Sequence, residues 1–252
     1  MRISVITAVF NAADTIQDTI DSVASQTHAE IEHVVIDGAS TDGTLDVIMR
    51  QRYRLGKFVT EPDRGIYDAM NKGIALASGE VIGFLNADDV YPHSGVLAKV
   101  ADAMALDCLD AIFADAEFFR SANPEDPVRR FRSARFDPDR IAWGWMPAHP
   151  TLFLRRRVFE RFGRFRTDYR IAGDFEFVAR IFHGKTLRYR YLPEVLVRMR
   201  TGGISTSGWR NTLLLNREVL RACRENGIST NVLMILSKYP AKLLEFLREQ
   251  PN

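Results

Sequence analysis

Apolar and polar positions alternate in blocks along the first half of the chain. Residues 3–9 form an almost unbroken apolar run, as a strand buried on both faces requires. Asp14-Thr15-Ile16-Gln17 then has the pattern of a helix start, an acidic cap with Gln three residues later. Ile16, Ile20 and Val23 follow at helical spacing. A strand is predicted at 33–36, then a polar turn from Asp37 to Thr41, then a helix after Asp42 with Leu45, Ile48 and Met49 on one face. Residues 57–60 read as a short strand, and Ile66, Met70 and Ile74 as a third helix. Residues 80–85 are a further strand that ends at Asn86-Ala87-Asp88-Asp89. Leu97, Val100 and Met104 mark a fourth helix, and residues 111–114 one more strand.

Repeated strand–helix–strand units predict an α/β fold, a mostly parallel central sheet flanked by helices. Such sheets take ligands outside the C-terminal ends of their strands. The polar clusters at Asn11, Asp37 and Asp88-Asp89 all follow strands, so topology alone gathers them on one edge. Residues 121–147 break the rhythm: Pro124, Pro127, Pro138 and Pro147, set among arginines, predict loops and short elements. From Trp209 onward a helical C-terminal segment is expected. There Val232, Leu233, Ile235, Leu236, Leu243, Leu244, Phe246 and Leu247 stand among Lys238, Lys242 and Arg248. This divides the chain into a main domain, 1–208, and an extension, 209–252, packed on that domain or facing a membrane.

Composition narrows the classes. A chain of 252 residues suits one large domain or a domain with an appendage. The net charge of +2, from 34 basic and 32 acidic residues, argues against a nucleic-acid-coating protein. Arg129, Arg130, Arg132, Arg135 and Arg140, and the run Arg155 to Arg157, are either a solvated face or a patch for anions. The 2 cysteines, Cys108 and Cys223, lie in helix-like apolar patterns without metal-ligand spacing. They are expected to be buried free thiols, as in a reducing compartment, and offer no zinc site. The N-terminal apolar run is too short for a signal-peptide core, and no run approaches the roughly 18 apolar residues of a membrane span. The expected location is cytoplasmic, or peripheral on the inner face of the membrane.

Four positions stand out chemically. Asp88 and Asp89 are adjacent carboxylates after a buried strand, an arrangement that calls for a positive partner such as Mg²⁺ or Mn²⁺, or else a helix cap and turn. Asp37 opens a turn rich in Gly, Ser and Thr, where it either accepts from a base or ribose or bonds its own backbone. Asp174, before the apolar helix of Val178, Ile181 and Phe182, is either a helix cap or a general base for a hydroxyl. His149 sits between Pro147 and Pro150 and is a structural hydrogen bonder, an acceptor contact or a metal ligand.

Taken together, six stretches resemble glycosyltransferase family 2 on the GT-A fold, above all the branch that builds bacterial O-antigens and exopolysaccharides. The stretch from Ile3 to Asn11 resembles the family's opening strand, and that from Val34 to Thr44 its uridine-binding turn. Glu61-Pro62-Asp63-Arg64-Gly65-Ile66-Tyr67-Asp68-Ala69-Met70-Asn71-Lys72-Gly73-Ile74 is the most specific piece. Phe84-Leu85-Asn86-Ala87-Asp88-Asp89 resembles the metal motif. Residues 147–177 resemble the acceptor-side segment that ends in the base, and Gly202-Gly203-Ile204-Ser205 the late loop.

The resemblance implies an inverting transfer from a nucleoside diphosphate sugar, most often a UDP-sugar, to a glycan or lipid-linked acceptor. It places Ala8, Phe10, Asn11, Asp37, Asp63 and Asp88 at the nucleotide and Asp88 with Asp89 at a divalent metal. Asp174 becomes the base, with His149 and Glu176 on the acceptor side. Three departures stand out: Asn86 where many relatives have Asp, Gly38 where many have a second Asp, and Gly173 in place of a frequent Glu. A dinucleotide enzyme would need GxGxxG after the first strand, where this chain has Asn11-Ala12-Ala13-Asp14, and the basic Gly-rich loop of a nucleotidyltransferase is missing too. The remaining alternative is a non-catalytic carbohydrate or lipid-carrier binding protein on the same fold, against which the presence of both Asp88 and Asp174 argues.

Overall fold

The computed structural model describes residues 1–106, 108–202 and 209–237. Gly203 to Ser205 of the expected late loop, and the apolar and basic positions from Lys238 onward, lie outside the described residues. The chain divides into two compact units. The first comprises Met1–Arg135, Pro147–Thr167 and Leu187–Thr201; the second comprises Phe136–Met146, Asp168–Thr186 and Gly202–Asn252. The second therefore takes in more than the C-terminal segment that composition sets apart.

The first unit is built on one sheet. Its strands are β1 (Ile3–Val9), β2 (Ile31–Asp37), β3 (Lys57–Thr60), β4 (Val81–Phe84), β5 (Ala111–Arg120), β6 (Asn123–Phe131), β7 (Phe153–Arg155) and β8 (Tyr189–Arg200). The order is β3-β2-β1-β4-β7-β5-β6, with β8 also paired to β5. β1 runs parallel to β2 on one side and β4 on the other, which is why six of its seven residues are buried and its sequence is almost wholly apolar. The sheet is mixed rather than uniformly parallel. β7 is antiparallel to both β4 and β5, and β6 is antiparallel to β5, while β8 is parallel to β5.

Helices α1 (Ile16–Ala24), α2 (Thr44–Arg50), α3 (Ile66–Leu76) and α4 (Val96–Leu106) connect the early strands. α3 lies unusually close to β1: a Cβ on Gly73 would meet Ile6 Cγ2 at 2.3 Å, so glycine alone permits the contact. Asn71 on the same helix grips a distant loop through its amide, donating to Phe165 O at 2.8 Å and accepting from Phe165 N at 3.0 Å. Helix α5 (Arg156–Phe162) follows β7 directly. The second unit holds a short 3-10 turn (Pro138–Trp143) and helices α6 (Gly173–Phe182), α7 (Trp209–Glu225) and α8 (Val232–Leu236).

Several local expectations change. α1 begins at Ile16 with Thr15 as its cap residue and makes no side-chain cap bond, so Asp14 is not the cap. Of the face drawn for α2, Ile48 is buried but Met49 is 54% exposed; Thr44 takes the buried position one turn earlier. Ile66 at the start of α3 is likewise exposed. The proline-rich stretch contains β6, exposed along nearly its whole length, where an edge strand tolerates proline because its outward N–H has no ladder partner. Cys223 is buried, but Cys108 is exposed in a left-handed backbone conformation (φ 50°) after α4, not within it.

The Arg155 to Arg157 run is taken up by contacts within the protein, with only Arg157 exposed. Arg155 donates to the carbonyls of Leu109 (2.7 Å) and Met104 (2.9 Å), and Arg156 to those of Ala77 (2.8 Å) and Gly79 (2.6 Å). Arg157 pairs with the Asp110 carboxylate. The run ties β7 and α5 to the strand ends beside them.

Candidate active site

Parallel connections run from β1 outward to β2 and β3, then return to the other side of β1 with β4. The chain reverses direction across the sheet between β1 and β4, and the crevice outside their C-terminal ends is where such folds bind ligands. Two loops flank it: residues 10–15 after β1, and Asn86 to Asp89 after β4. The turn after β2 completes the edge.

The turn after β2 is held from within. Asp37 is fully buried at the end of β2. One of its oxygens accepts the Ser40 hydroxyl at 2.5 Å and the other the Thr60 hydroxyl at 2.6 Å, and the Ser40 N–H points at both, at 3.2 and 3.4 Å. The Asn11 N–H donates to Ser40 Oγ at 2.8 Å, and Asn11 Oδ1 accepts from Thr41 N at 2.9 Å. Ala12 N bonds Thr44 Oγ1 (2.8 Å) and Ala13 N bonds Asp42 (3.1 Å), so the loops after β1 and β2 form one lattice. Two non-glycine residues in that lattice, Asn11 (φ 49°) and Ala39 (φ 63°), sit in the left-handed region, a strained conformation of a kind that collects at functional sites.

Beside the lattice lie Phe10, 64% exposed, and Ala8, paired with Ile36. Asp63 closes this corner: its Oδ1 accepts from Gly65 N at 2.8 Å while its Oδ2 lies against Gly38. The space that a side chain at position 38 would take is thus filled by the carboxylate of Asp63.

Asp88 and Asp89 have different surroundings despite their adjacency. Asp89 is 2% exposed; it accepts from Asn86 Nδ2 at 2.9 Å and from Arg200 N at 3.2 Å, and its carbonyl accepts from Thr19 Oγ1 at 2.8 Å. Burial, and then the charge of Asp88, push its carboxyl up to about 8. Asp88 is half-buried; burial raises its carboxyl above the ordinary range, against a smaller opposing pull from the Arg200 guanidinium. Arg200, the last residue of β8, donates to Asp88 O (3.3 Å), Asp18 (2.8 Å) and Ser121 Oγ (2.8 Å), and stacks 4.9 Å from the Phe119 ring centre. Asn86 therefore serves Asp89, which is committed to the loop, while Asp88 beside it stays half-buried. Among the described residues no group of three or more His, Cys, Asp or Glu side chains gathers to hold a metal unaided.

His149 packs inside the first unit rather than lining an open surface. It is 9% exposed, stacked on Phe84 (ring centres 5.5 Å) and edge-on to Phe165 (5.8 Å). Asp174 and Glu176 belong to the second unit, in the first turn of α6. Asp174 is half-buried and its Oδ1 accepts from Phe175 N at 2.8 Å. Glu176 is 1% exposed and held by Arg180 in a two-point contact (3.0 and 2.9 Å), with Asn226 Nδ2 at 3.3 Å. That commitment gives Glu176 a structural task on its own helix. Sequence reasoning did not single out Ser40, Thr60 or Arg200 as organisers of the edge; nothing distinguishes a strand-terminal arginine or threonine until its partners are known.

The profile of glycosyl transferase family 2 matches residues 4–164, and the chain belongs to that family. A relative, the "PGL/p-HBAD biosynthesis glycosyltransferase" of Mycobacterium bovis, is 34% identical over 210 residues, covering 81% of this chain and 79% of that one. Staphylococcus aureus TarS 1-349 in complex with UDP-GlcNAc superposes with a TM-score of 0.69 at 20% identity, covering 88% of this chain and 66% of that one. The Pyrobaculum calidifontis mannosyltransferase PcManGT in complex with GDP-Man and Mn²⁺ gives 0.65 at 23% identity, covering 87% and 64%. These likenesses identify the fold as GT-A; the chain spans about two thirds of the length of each of those two solved structures. Among the described residues no helix is long and apolar enough to cross a membrane.

Proposed function

We propose that this glycosyltransferase moves a sugar, with inversion, from a nucleoside diphosphate sugar to a hydroxyl of a glycan or lipid-linked acceptor in polysaccharide or glycolipid assembly. The observation that carries the reading is the division of labour at the sheet edge. An exposed Phe10 and the Asp63 carboxylate flank a turn pre-tied by Asp37, and after β4 Asp88 is the half-buried carboxylate next to the fully engaged Asp89. The nucleotide base lies against Phe10, Ala8 and the Asn11 and Asp37 turn, with Asp63 at base or ribose. The UDP-GlcNAc complex of TarS and the GDP-Man complex of PcManGT support a nucleotide-sugar donor.

The residues at Asp88 fit a divalent ion, Mg²⁺ or Mn²⁺. Burial favours the protonated forms of both carboxylates more than the Arg200 guanidinium offsets, and hard cations of this kind take one or two carboxylates and complete their shell with substrate phosphate. Asp88 would hold it, with Asp89 fixing the loop. Such an ion stabilises negative charge on a leaving diphosphate. Asp174 takes the proton of the acceptor hydroxyl as its oxygen bonds the anomeric carbon and the bond from that carbon to the diphosphate breaks on the opposite face, a direct displacement that needs no covalent enzyme intermediate. A membrane-peripheral acceptor is supported by Val232, Leu233 and Leu236, all exposed on the short helix α8. Vesicle co-sedimentation reads that part, and equal pelleting of the wild type and Leu233→Asp removes it.

The test of the donor reading is thermal unfolding with UDP, GDP, CDP and TDP, with and without Mn²⁺. A ligand at about 100 times its dissociation constant adds about 2.7 kcal/mol of apparent stability. A metal-dependent shift with one nucleotide, lost in Asp88→Ala, is expected. A folded protein that responds to none of the four is instead the non-catalytic carbohydrate binder.

A further inference from the structure

We propose that Glu218, on the C-terminal helix α7, is the positioning residue for Asp174, which makes α7 part of the acceptor-activating apparatus. The inference rests on the reading of Asp174 as the base. Glu218 is 8% exposed, and its carboxylate is the shared acceptor of three consecutive backbone donors: Arg170 N at 2.8 Å, Ile171 N at 2.9 Å and Ala172 N at 2.8 Å. These amides lie two to four residues before Asp174. The cap residue of α6, Ala172, offers no side chain to its helix, so the start of α6 is held from outside.

Charge-assisted bonds from successive N–H groups converging on one anion are the strong, geometrically exacting kind. Asp174 accepts from Phe175 N, so the carboxylate is bonded to its own first turn and follows the backbone there. The same face of α7 grips the preceding residues. Arg221 donates to Asp168 O at 3.1 Å and lies 4.4 Å over the Tyr169 ring, and Glu225 accepts from Tyr169 Oη at 2.7 Å. Positions 218, 221 and 225 fall on one stripe of a helix. The result is a clamp on residues 168–172 whose last contact ends just before Asp174.

Glu218→Gln tests this with the side-chain shape kept. It exchanges one acceptor oxygen for an NH2 group that faces a backbone donor. Turnover is followed as nucleoside diphosphate released from UDP-glucose, UDP-GlcNAc and GDP-mannose with water standing in for the acceptor hydroxyl: its oxygen bonds the anomeric carbon as the bond to the diphosphate breaks, and Asp174 takes its proton; amide hydrogen exchange over residues 170–175 is measured in parallel. The expected result is a kcat at least tenfold lower with donor KM within twofold, faster exchange at 170–175, and partial rescue by Glu218→Asp. Glu218→Gln in an Asp174→Asn background is expected to lower kcat no further. Wild-type exchange at these amides in Glu218→Gln overturns the proposal without any assay of turnover. So does a wild-type kcat in Glu218→Gln when Asp174→Asn alone is inactive. Full turnover in Asp174→Asn instead overturns the base assignment and the proposal with it, so the two failures are distinguishable.

Discussion

The carboxylate of Asp63 occupies the space a side chain at Gly38 would need: a Cβ built there would lie 2.5 Å from Asp63 Oδ2 and 3.4 Å from the Phe10 ring. The turn after β2 and the loop before α3 are therefore fitted to each other through an absent side chain. Gly38→Ala is expected to swing the Asp63 carboxylate away from its bond with Gly65 N and weaken nucleotide binding severalfold with little loss of stability, since a Cβ at that distance meets the end of a side chain that can rotate. Gly38→Asp sets a second charge against the first and is expected to bind more weakly still. Calorimetric titration with the preferred nucleoside diphosphate checks both; an unchanged dissociation constant in Gly38→Ala would remove Asp63 from the nucleotide site.

Asp88 and Asp89 are expected to respond differently to loss of their side chains. Asp89→Ala strips the acceptor from Asn86 Nδ2 and Arg200 N inside a buried loop, a loss of about 1–3 kcal/mol for unsatisfied buried donors. Asp88→Ala removes no bond to another residue's side chain and is expected to unfold near the wild-type temperature while losing the Mn²⁺-dependent nucleotide shift. Chemical denaturation and thermal shift on the two variants separate these effects. Equal destabilisation by both substitutions would argue against the assignment of structural and metal-facing roles.

The two thiols give a third contrast. Cys108 is exposed with φ 50°, and Cys223 is fully buried on α7 with its sulfur 3.7 Å from Ile141 O. Ellman's reagent is expected to label one thiol rapidly in the native protein and two after denaturation, with the rapid phase absent in Cys108→Gly. That substitution is also expected to stabilise the fold slightly, because glycine accepts a positive φ without strain. Rapid labelling of two native thiols would mean that α7 opens readily.

The early strands were readable because β1, β2 and β4 are buried on both faces and their composition records it. The gathering of Asn11, Asp37 and Asp88 at one edge was readable because β1, β2 and β4 run parallel and each of these residues ends or follows one of them. β6 was not, because Pro124, Pro127 and its arginines are tolerated only by an exposed edge, a property of the partner strand and not of local pattern. Glu218 was not, because its three donors lie 46 to 48 residues earlier in the chain and a glutamate on an amphipathic helix reads as solvated. The packing of His149 was not readable, because its two proline neighbours say nothing about the rings of Phe84 and Phe165 against which it packs.

His33 makes the stability of the sheet depend on pH. It is buried in β2 with its Nε2 3.0 Å from Thr7 Oγ1 on β1, and burial lowers its pKa to about 3. The folded chain keeps this imidazole neutral down to that pH, whereas the unfolded chain protonates it below about 6.5. The unfolded state then binds the extra proton, so stability is present in full above pH 6.5 and falls as pH drops toward 3. The limiting slope is about 1.4 kcal/mol per pH unit. Urea unfolding at pH 7.5, 6.5, 5.5 and 4.5 should show this decline in the wild type and a shallower one in His33→Gln, which keeps a polar group for Thr7 but has nothing to titrate. Parallel curves for the two proteins would mean that His33 is protonated within the fold, and that the contact with Thr7 holds a charged ring.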